Sequence, residues 1–271
     1  LAAAARTIRL PAGSPLRSVG WAALTGVLMA AACFARPSWL LVAPGLVLLM
    51  FVARMGHPAW LPWRCLVSRG TVLLGAMALC FIPWIVRNYR VTGRFVPTTL
   101  WMGPSLYDGW NPHATGESDM RFIEEDGLYQ KMSEYDVDRH YRRAAWEFAE
   151  EHPGRAAWLA AVKLWKYWRP WPNPREFRSA AVWVIGAWFV ALLALAVVGM
   201  CISSGGTLSR GWLALLSLGP IVYFSALHMV FVSSFRYRLP AEYPLCVLTA
   251  VGIDALWRRW HTGNESVHAA P

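Results

Sequence analysis

Long uncharged runs separated by short basic segments constrain this chain more than any other feature. Five runs contain no Asp, Glu, Lys or Arg, and they span residues 18–35, 37–53, 70–86, 179–209 and 211–235. A sixth run, 240–257, contains only Glu242 and Asp254, one near each end. A membrane-spanning helix needs about 20 mostly apolar residues. The runs therefore predict an all-α integral membrane protein with about six transmembrane helices.

The composition argues against two other classes of protein. The chain is 56% hydrophobic and 15% charged, whereas about a quarter of the residues are charged in a soluble domain. Such a chain is too apolar to be disordered and unlike an ordinary soluble domain. The net charge of +10 would favour nucleic acid as a partner of a soluble protein. In a membrane protein, topology explains the excess better, so no nucleic-acid partner is expected.

The distribution of basic residues predicts the orientation in the membrane. The N-terminus, the 54–69 and 203–211 segments and the C-terminal tail together carry nine Lys or Arg and one acidic residue. Short basic loops face the cytoplasm, whereas segment 87–178 is nearly neutral, with 14 basic and 13 acidic residues. We therefore expect helices 1–3 with basic cytoplasmic loops in 1–89, an extracytoplasmic region at 90–178, helices 4–6 in 179–260, and a flexible cytoplasmic tail at 261–271.

The extracytoplasmic region is expected to begin as a loop and to continue as short helices. Gly and Pro recur between Gly93 and Gly116, which is typical of loops. Residues 133–151 predict a helix capped by Ser133. Residues 154–168 predict a second helix, whose Trp and basic residues are typical of an amphipathic helix at the membrane interface.

One short turn concentrates groups that suit an anion. Arg236 and Arg238 flank Tyr237 just before the last helix, on the side of the membrane where basic residues are disfavoured. Two guanidinium groups and a phenol can bind a phosphate through charge-assisted hydrogen bonds. The alternative is that Arg238 only pairs with Glu242, one helical turn away. His228 is a candidate base, but a lone histidine of this kind is more often a packed helix residue.

Further candidates lie in the Gly/Pro-rich loop. Tyr107, Asp108 and Asn111 can be interpreted as sugar-binding residues, but Asp and Asn also hydrogen-bond their own backbone in turns. The sequence leaves both interpretations open. It contains no phosphate-binding loop, no zinc-protease or serine-hydrolase motif and no paired His/Cys metal spacing. We therefore predict no metal site and no cofactor.

Taken in order, the motifs resemble a known family. They are a helix ending at Arg36-Pro37, PWIVRNY at 83–89, GRFVP at 93–97, LYDGWNP at 106–112, EHPG at 151–154 and RYRLPAEYPL at 236–245. This order is similar to the C-terminal half of bacterial membrane glycosyltransferases of the C-type superfamily. Within that superfamily the chain resembles the protein mannosyltransferase-like and aminoarabinose transferase-like families, from about Trp21 to Trp257.

The resemblance implies a multi-pass enzyme of the bacterial cytoplasmic (inner) membrane that acts in the cell envelope. Such an enzyme transfers a sugar from a polyprenyl-phosphate donor to a protein, lipid or glycan acceptor on the outer face. The family's catalytic Asp lies in the first extracytoplasmic loop, which no segment here matches. The general base is therefore expected upstream of this chain, and residues 1–271 are expected to be inactive alone.

The resemblance also implies roles for individual residues. Arg236, Tyr237 and Arg238 match the family's final-helix motif and are expected to bind the donor phosphate. Membrane lipids and the lipid-linked donor are the expected partners. The possible substrate-binding residues are Arg36, Arg87, Asn88, Tyr107, Asp108, Asn111 and His228.

Two other classes of function stay open. A transporter or flippase subunit would carry polar residues inside several helices, or broken helices in matching halves. Here the polar residues concentrate at outer helix ends, which argues against transport. A non-catalytic membrane scaffold would share the topology, but it would not need the turn around Tyr237.

Overall fold

The computed structural model describes residues 4, 6–7, 15–56, 61–171, 180–202 and 207–268, with the backbone alone at 15, 207–214, 235 and 262–268. All regular structure in these residues is helical. By length and composition, five of the described helices can cross a membrane: Leu16–Ala35, Pro37–Gly56, Trp63–Thr92, Ala181–Ile202 and Leu239–His261. The chain is therefore an all-α protein with the apolar helices of a membrane protein, as the sequence predicts.

The described residues form ten α-helices from Pro15 onward. They are α1 (Pro15–Ala35), α2 (Val42–Gly56), α3 (Trp63–Thr92), α4 (Met102–Gly109), α5 (Phe122–Asp126), α6 (Glu134–Glu151), α7 (Pro153–Trp168), α8 (Ala181–Ile202), α9 (Thr207–Val230) and α10 (Leu239–His268). Short 3-10 turns occur at Pro37–Trp39, Leu128–Gln130 and Phe235–Tyr237. The chain divides into two compact units, residues 1–104 with 121–143, and residues 105–120 with 144–271.

In the first unit, α1 and α3 approach each other closely at Gly26. A Cβ at this position would lie only 2.2 Å from the backbone oxygen of Leu73, so a larger residue would force the helices apart. Arg69 of α3 is buried, and its Nη1 donates to the oxygen of Thr7 at 2.8 Å. A cation buried among apolar helices needs such acceptors. The contact therefore fixes Thr7 against α3.

In the second unit, α8 and α10 pack through two reciprocal glycines. A Cβ at Gly199 would lie 2.1 Å from the oxygen of Leu248, and a Cβ at Gly252 would lie 2.2 Å from the oxygen of Leu195. Small residues let membrane helices approach at this distance. The buried side chains that complete the contact are Phe189, Leu192, Ala196, Leu245 and Leu248.

The region between the apolar helices is more helical than the sequence indicates. The helix expected at 133–151 is α6, and the backbone N–H of Asp136 donates to Ser133 Oγ at 3.3 Å, the expected cap. The loop expected from Gly93 to Gly116 is interrupted by α4. Pro104 is the third residue of α4, where a missing N–H costs no intrahelical bond. Gly103 allows the backbone of Asp138 to approach, because a Cβ there would lie 1.9 Å from its oxygen.

Two further expectations concern the last two helices. The span expected at 211–235 falls on α9, in which the described side chains of Leu215–Val230 form an apolar stretch. The segment expected to be a flexible tail, 261–271, is helical up to His268. Side chains help to extend this helix, because Arg258 bonds Asp254 and the ring of His261 bonds the oxygen of Trp257, each one turn earlier.

The reciprocal glycine contact predicts the effect of small substitutions. Gly252→Ala is expected to lower the free energy of unfolding by about 1–3 kcal/mol, because the added methyl group meets a backbone oxygen that cannot move alone. Thermal unfolding of the detergent-solubilised protein measures this. Gly75→Ala is the matched control, because nothing lies within 4 Å of its Cβ position. Equal melting temperatures for the two variants would contradict the assigned packing.

Candidate functional site

The arginine-rich turn of the second unit connects α9 to α10. The chain leaves α9 at Val230 and forms a 3-10 turn at Phe235–Tyr237, closed by a hydrogen bond from Tyr237 N–H to the oxygen of Ser234 at 2.9 Å. The oxygen of Arg238 then accepts from the N–H groups of Ala241 and Glu242, which starts α10. Consecutive side chains of this turn therefore point in different directions.

Arg238 points inward and is 1% exposed. Its Nε donates to Glu242 Oε1 at 2.5 Å, and its Nη1 donates to the oxygens of Arg169 at 2.9 Å and Tyr167 at 3.4 Å. The guanidinium carbon lies 3.5 Å from the ring centre of Phe189. The pairing with Glu242 is the alternative that the sequence left open. In this structure Arg238 therefore holds the end of α7 against the start of α10.

Arg236 points outward and is exposed. Its Nη2 donates to the hydroxyl of Tyr237 at 3.3 Å, and its guanidinium carbon lies 5.1 Å from the centre of the Tyr237 ring. Behind it, the ring of Tyr237 stacks on His228 with an interplanar angle of 8°. The imidazole Nδ1 lies 2.9 Å from the oxygen of Val232. A carbonyl only accepts hydrogen bonds, so this nitrogen carries the proton.

A buried lysine forms the second polar centre of this unit. Lys163 of α7 has no exposed surface. Its Nζ donates to the oxygen of Val230 at 2.6 Å and to that of Gly109 at 3.3 Å. These are the last residues of α9 and α4, and the final carbonyls of a helix are electronegative and lack intrahelical partners. One ammonium group therefore caps two helices at once.

Asp108 lies beside this lysine and is also buried. Its carboxylate accepts hydrogen bonds from Ser118 Oγ and from the N–H of Asp119, both at 2.7 Å. Burial raises the pKa of Asp108, and the hydrogen bonds oppose this shift. Burial lowers the pKa of Lys163 to about 7, while the charge of Asp108 acts in the opposite direction.

Loop 111–117 is fixed to α7 by further cationic side chains. Arg155 donates to the oxygen of Ala114 at 3.1 Å, and Lys166 donates to that of Thr115 at 3.0 Å. The ammonium of Lys166 and the guanidinium of Arg169 also lie 3.3 and 4.0 Å from the carboxylate of Glu117. The basic residues of α7 thus bind the protein's own loop.

The other expected site residues have local roles. In the second unit, the amide of Asn111 donates to the oxygen of Tyr107 and accepts from the N–H of His113, both at 2.8 Å. In the first unit, Asn88 accepts from Arg87 at 3.0 Å and donates to the oxygen of Val96 at 2.9 Å. These are turn-forming contacts. The second unit also contains the half-buried Tyr107, and the first unit the half-buried Arg36.

The sequence did not single out Lys163 or Tyr167. Both face inward from α7 together with Ala156 and Leu159, at a spacing that places them on one side of a helix. A lysine in the middle of this apolar stripe was the sequence feature that could have indicated a buried polar centre. Within the described residues, no group of three His, Cys, Asp or Glu side chains is placed to hold a metal ion.

No family model, no curated protein and no solved structure matches the chain.

The buried lysine predicts a pH dependence of stability. Lysine has a pKa near 10.4 in an unfolded chain, so between about pH 7 and 10 the unfolded state binds more protons than the folded state. The free energy of unfolding therefore rises with pH across this window, by at most about 1.4 kcal/mol per pH unit.

Unfolding of the wild type and of Lys163→Met at several pH values between 7 and 10 tests this expectation. The difference in stability, wild type minus variant, should increase with pH. Lys131→Met, at an exposed lysine, should follow the wild-type curve. Parallel curves for the wild type and Lys163→Met would show that the lysine does not titrate in this window.

Proposed function

We propose that the chain is part of a membrane glycosyltransferase that transfers a sugar from a polyprenyl-phosphate donor to an acceptor on the outer face of the bacterial cytoplasmic membrane. The resemblance of the ordered motifs to the C-type glycosyltransferases supports this proposal. By the same resemblance, the general base is expected on a segment that these residues do not contain. The chain then supplies the surface that holds the lipid phosphate.

The observation that carries the proposal is the exposed Arg236 beside Tyr237 at the start of a long apolar helix. A guanidinium and a phenol hydroxyl side by side are donors suited to a phosphate oxygen. Apolar helices next to them provide a surface for a polyprenyl tail. As the bond between sugar and phosphate breaks, negative charge grows on the phosphate, and a fixed cation stabilises it.

The charges around the turn support Arg236 rather than Arg238 as the phosphate ligand. Arg238 is neutralised by Glu242, and Lys166 and Arg169 share Glu117. Among the ion pairs of the described residues, none involves Arg236. Its guanidinium is therefore the group of this turn that can accept an anion without giving up a carboxylate.

Exposed tryptophans support a position at the membrane surface. In the second unit, Trp158 and Trp165 of α7 and Trp183 of α8 are 49%, 71% and 69% exposed. Trp at the ends of apolar helices prefers the headgroup region. We propose six spans, with residues 90–178 outside the cytoplasm and both ends of the chain inside.

Substitution of Arg236 tests the phosphate role. Arg236→Ala is expected to weaken binding of undecaprenyl monophosphate in detergent micelles about tenfold or more, because a hydrogen bond to a charged group is lost. Isothermal titration calorimetry measures this. Arg258→Ala removes an exposed arginine of α10 and should leave the affinity unchanged. Equal affinities for the wild type and Arg236→Ala would count against the site.

Arg238→Ala should behave differently from Arg236→Ala. Removing one partner of a buried ion pair typically costs about 3–5 kcal/mol, so this variant is expected to lose folded protein. Size-exclusion profiles and melting temperatures of the two variants in the same detergent measure the contrast. If Arg238→Ala is instead fully stable and loses only phosphate binding, Arg238 is a ligand itself.

Cysteine labelling tests the topology. In a chain whose five native cysteines are replaced by alanine, Glu125→Cys should react with a membrane-impermeant maleimide in intact spheroplasts. Gly56→Cys should react only after permeabilisation. Both positions are exposed, and nothing lies within 4 Å of the Cβ position of Gly56. The reverse pattern would exclude the proposed orientation and, with it, transfer on the outer face.

A further inference from the structure

Three aromatic rings from three elements of the second unit form one continuous stack. Tyr167 of α7 stacks on His228 of α9, with ring centres 5.2 Å apart and an interplanar angle of 21°. His228 stacks in turn on Tyr237 of the 3-10 turn, with centres 5.3 Å apart and an angle of 8°. Near-parallel rings at this separation are offset stacks, a favourable arrangement.

The stack runs from the core to the surface. Tyr167 has no exposed surface and His228 is 5% exposed, whereas Tyr237 is half-buried. The fourth group in the series is the exposed guanidinium of Arg236, 5.1 Å from the centre of the Tyr237 ring. Each group therefore rests on a more deeply buried one.

Two hydrogen bonds also connect the stack to the backbone. His228 donates from Nδ1 to the oxygen of Val232, which sets the orientation of the imidazole ring. The hydroxyl of Tyr167 lies 3.4 Å from the oxygen of Tyr237, the residue that it reaches across the stack. Tyr167 therefore bonds the backbone of Tyr237, and His228 stacks on its ring.

We propose that Tyr167 and His228 are positioning residues that hold Tyr237 and Arg236 in the geometry that binds a phosphate. They act through the stack and do not touch the anion themselves. An exposed arginine otherwise samples many rotamers, and fixing one before binding removes that entropic cost from the affinity. The phosphate as ligand rests on the proposed function above, but the ordering of Arg236 does not.

The test separates the ring of His228 from its hydrogen bond. His228→Phe keeps an aromatic ring between Tyr167 and Tyr237, and His228→Leu replaces it by an aliphatic group. In protein labelled with ¹⁵N-arginine, the heteronuclear NOE of the Arg236 Nε–H reports the order of this side chain, and Arg236→Lys identifies its signal. Arg155, which lies over Trp158 at 4.2 Å, is an internal reference. His261→Leu is the matched control at an exposed histidine.

The proposal predicts that Arg236 is ordered in the wild type, in His228→Phe and in the control His261→Leu. It predicts that Arg236 is mobile in His228→Leu. The Arg155 signal should stay constant throughout. Equal order of Arg236 in all variants would overturn the proposal. An Arg236 that is already mobile in the wild type would overturn it as well.

Binding of farnesyl monophosphate then tests the link to the site. His228→Leu should bind about fivefold more weakly than the wild type, and His228→Phe should restore wild-type affinity. If His228→Phe fails to restore it, the ring does not position the ligand and the proposal is wrong. If the wild type binds no phosphate while Arg236 follows the predicted order, the proposed function of the site fails and the positioning of Arg236 stands.

Discussion

The second unit depends on one buried ammonium group. Lys163 joins the C-terminal carbonyls of α4 and α9, two helices that are far apart in the chain, to the middle of α7. A lysine is costly to bury, and here two helix ends and the nearby Asp108 offset that cost. Since α9 leads directly into the arginine-rich turn, this contact also sets where the turn begins. The position of the arginine-rich turn therefore depends on the buried side chain of Lys163.

The same turn places two neighbouring arginines in different environments. Arg238 is enclosed by Phe189, Glu242 and two backbone oxygens, and Glu242 neutralises its charge inside the protein. Arg236, two residues earlier, lies at the exposed end of an aromatic stack. The buried arginine connects the turn to the end of α7 and the start of α10, whereas the exposed arginine contacts the outer ring of the stack.

Local patterns predicted the helices well and the long-range contacts around the arginine-rich turn poorly. The cap at Ser133 and the uncharged runs gave α6 and the long apolar helices, because both signals act over a few residues. The pairing of Arg238 with Glu242 was foreseeable for the same reason. The carbonyls that bury Arg238 lie 69 and 71 residues away in the chain, however, and no local pattern distinguishes it from Arg236. The helical state of 102–109 was missed because its Gly and Pro residues suit a loop as well as a first helical turn.

The contact between Lys163 and Val230 spans 67 residues, which has a consequence for how the protein is made. At a synthesis rate of about 5–20 residues per second, the ribosome adds the acceptor roughly 3–13 s after the lysine. Until then Lys163 lacks one of the two carbonyl oxygens to which it donates in the folded protein. The contacts of α7 with the end of α9 can therefore form only after Val230 has been made. This part of the second unit is therefore completed only after its later helices have been made.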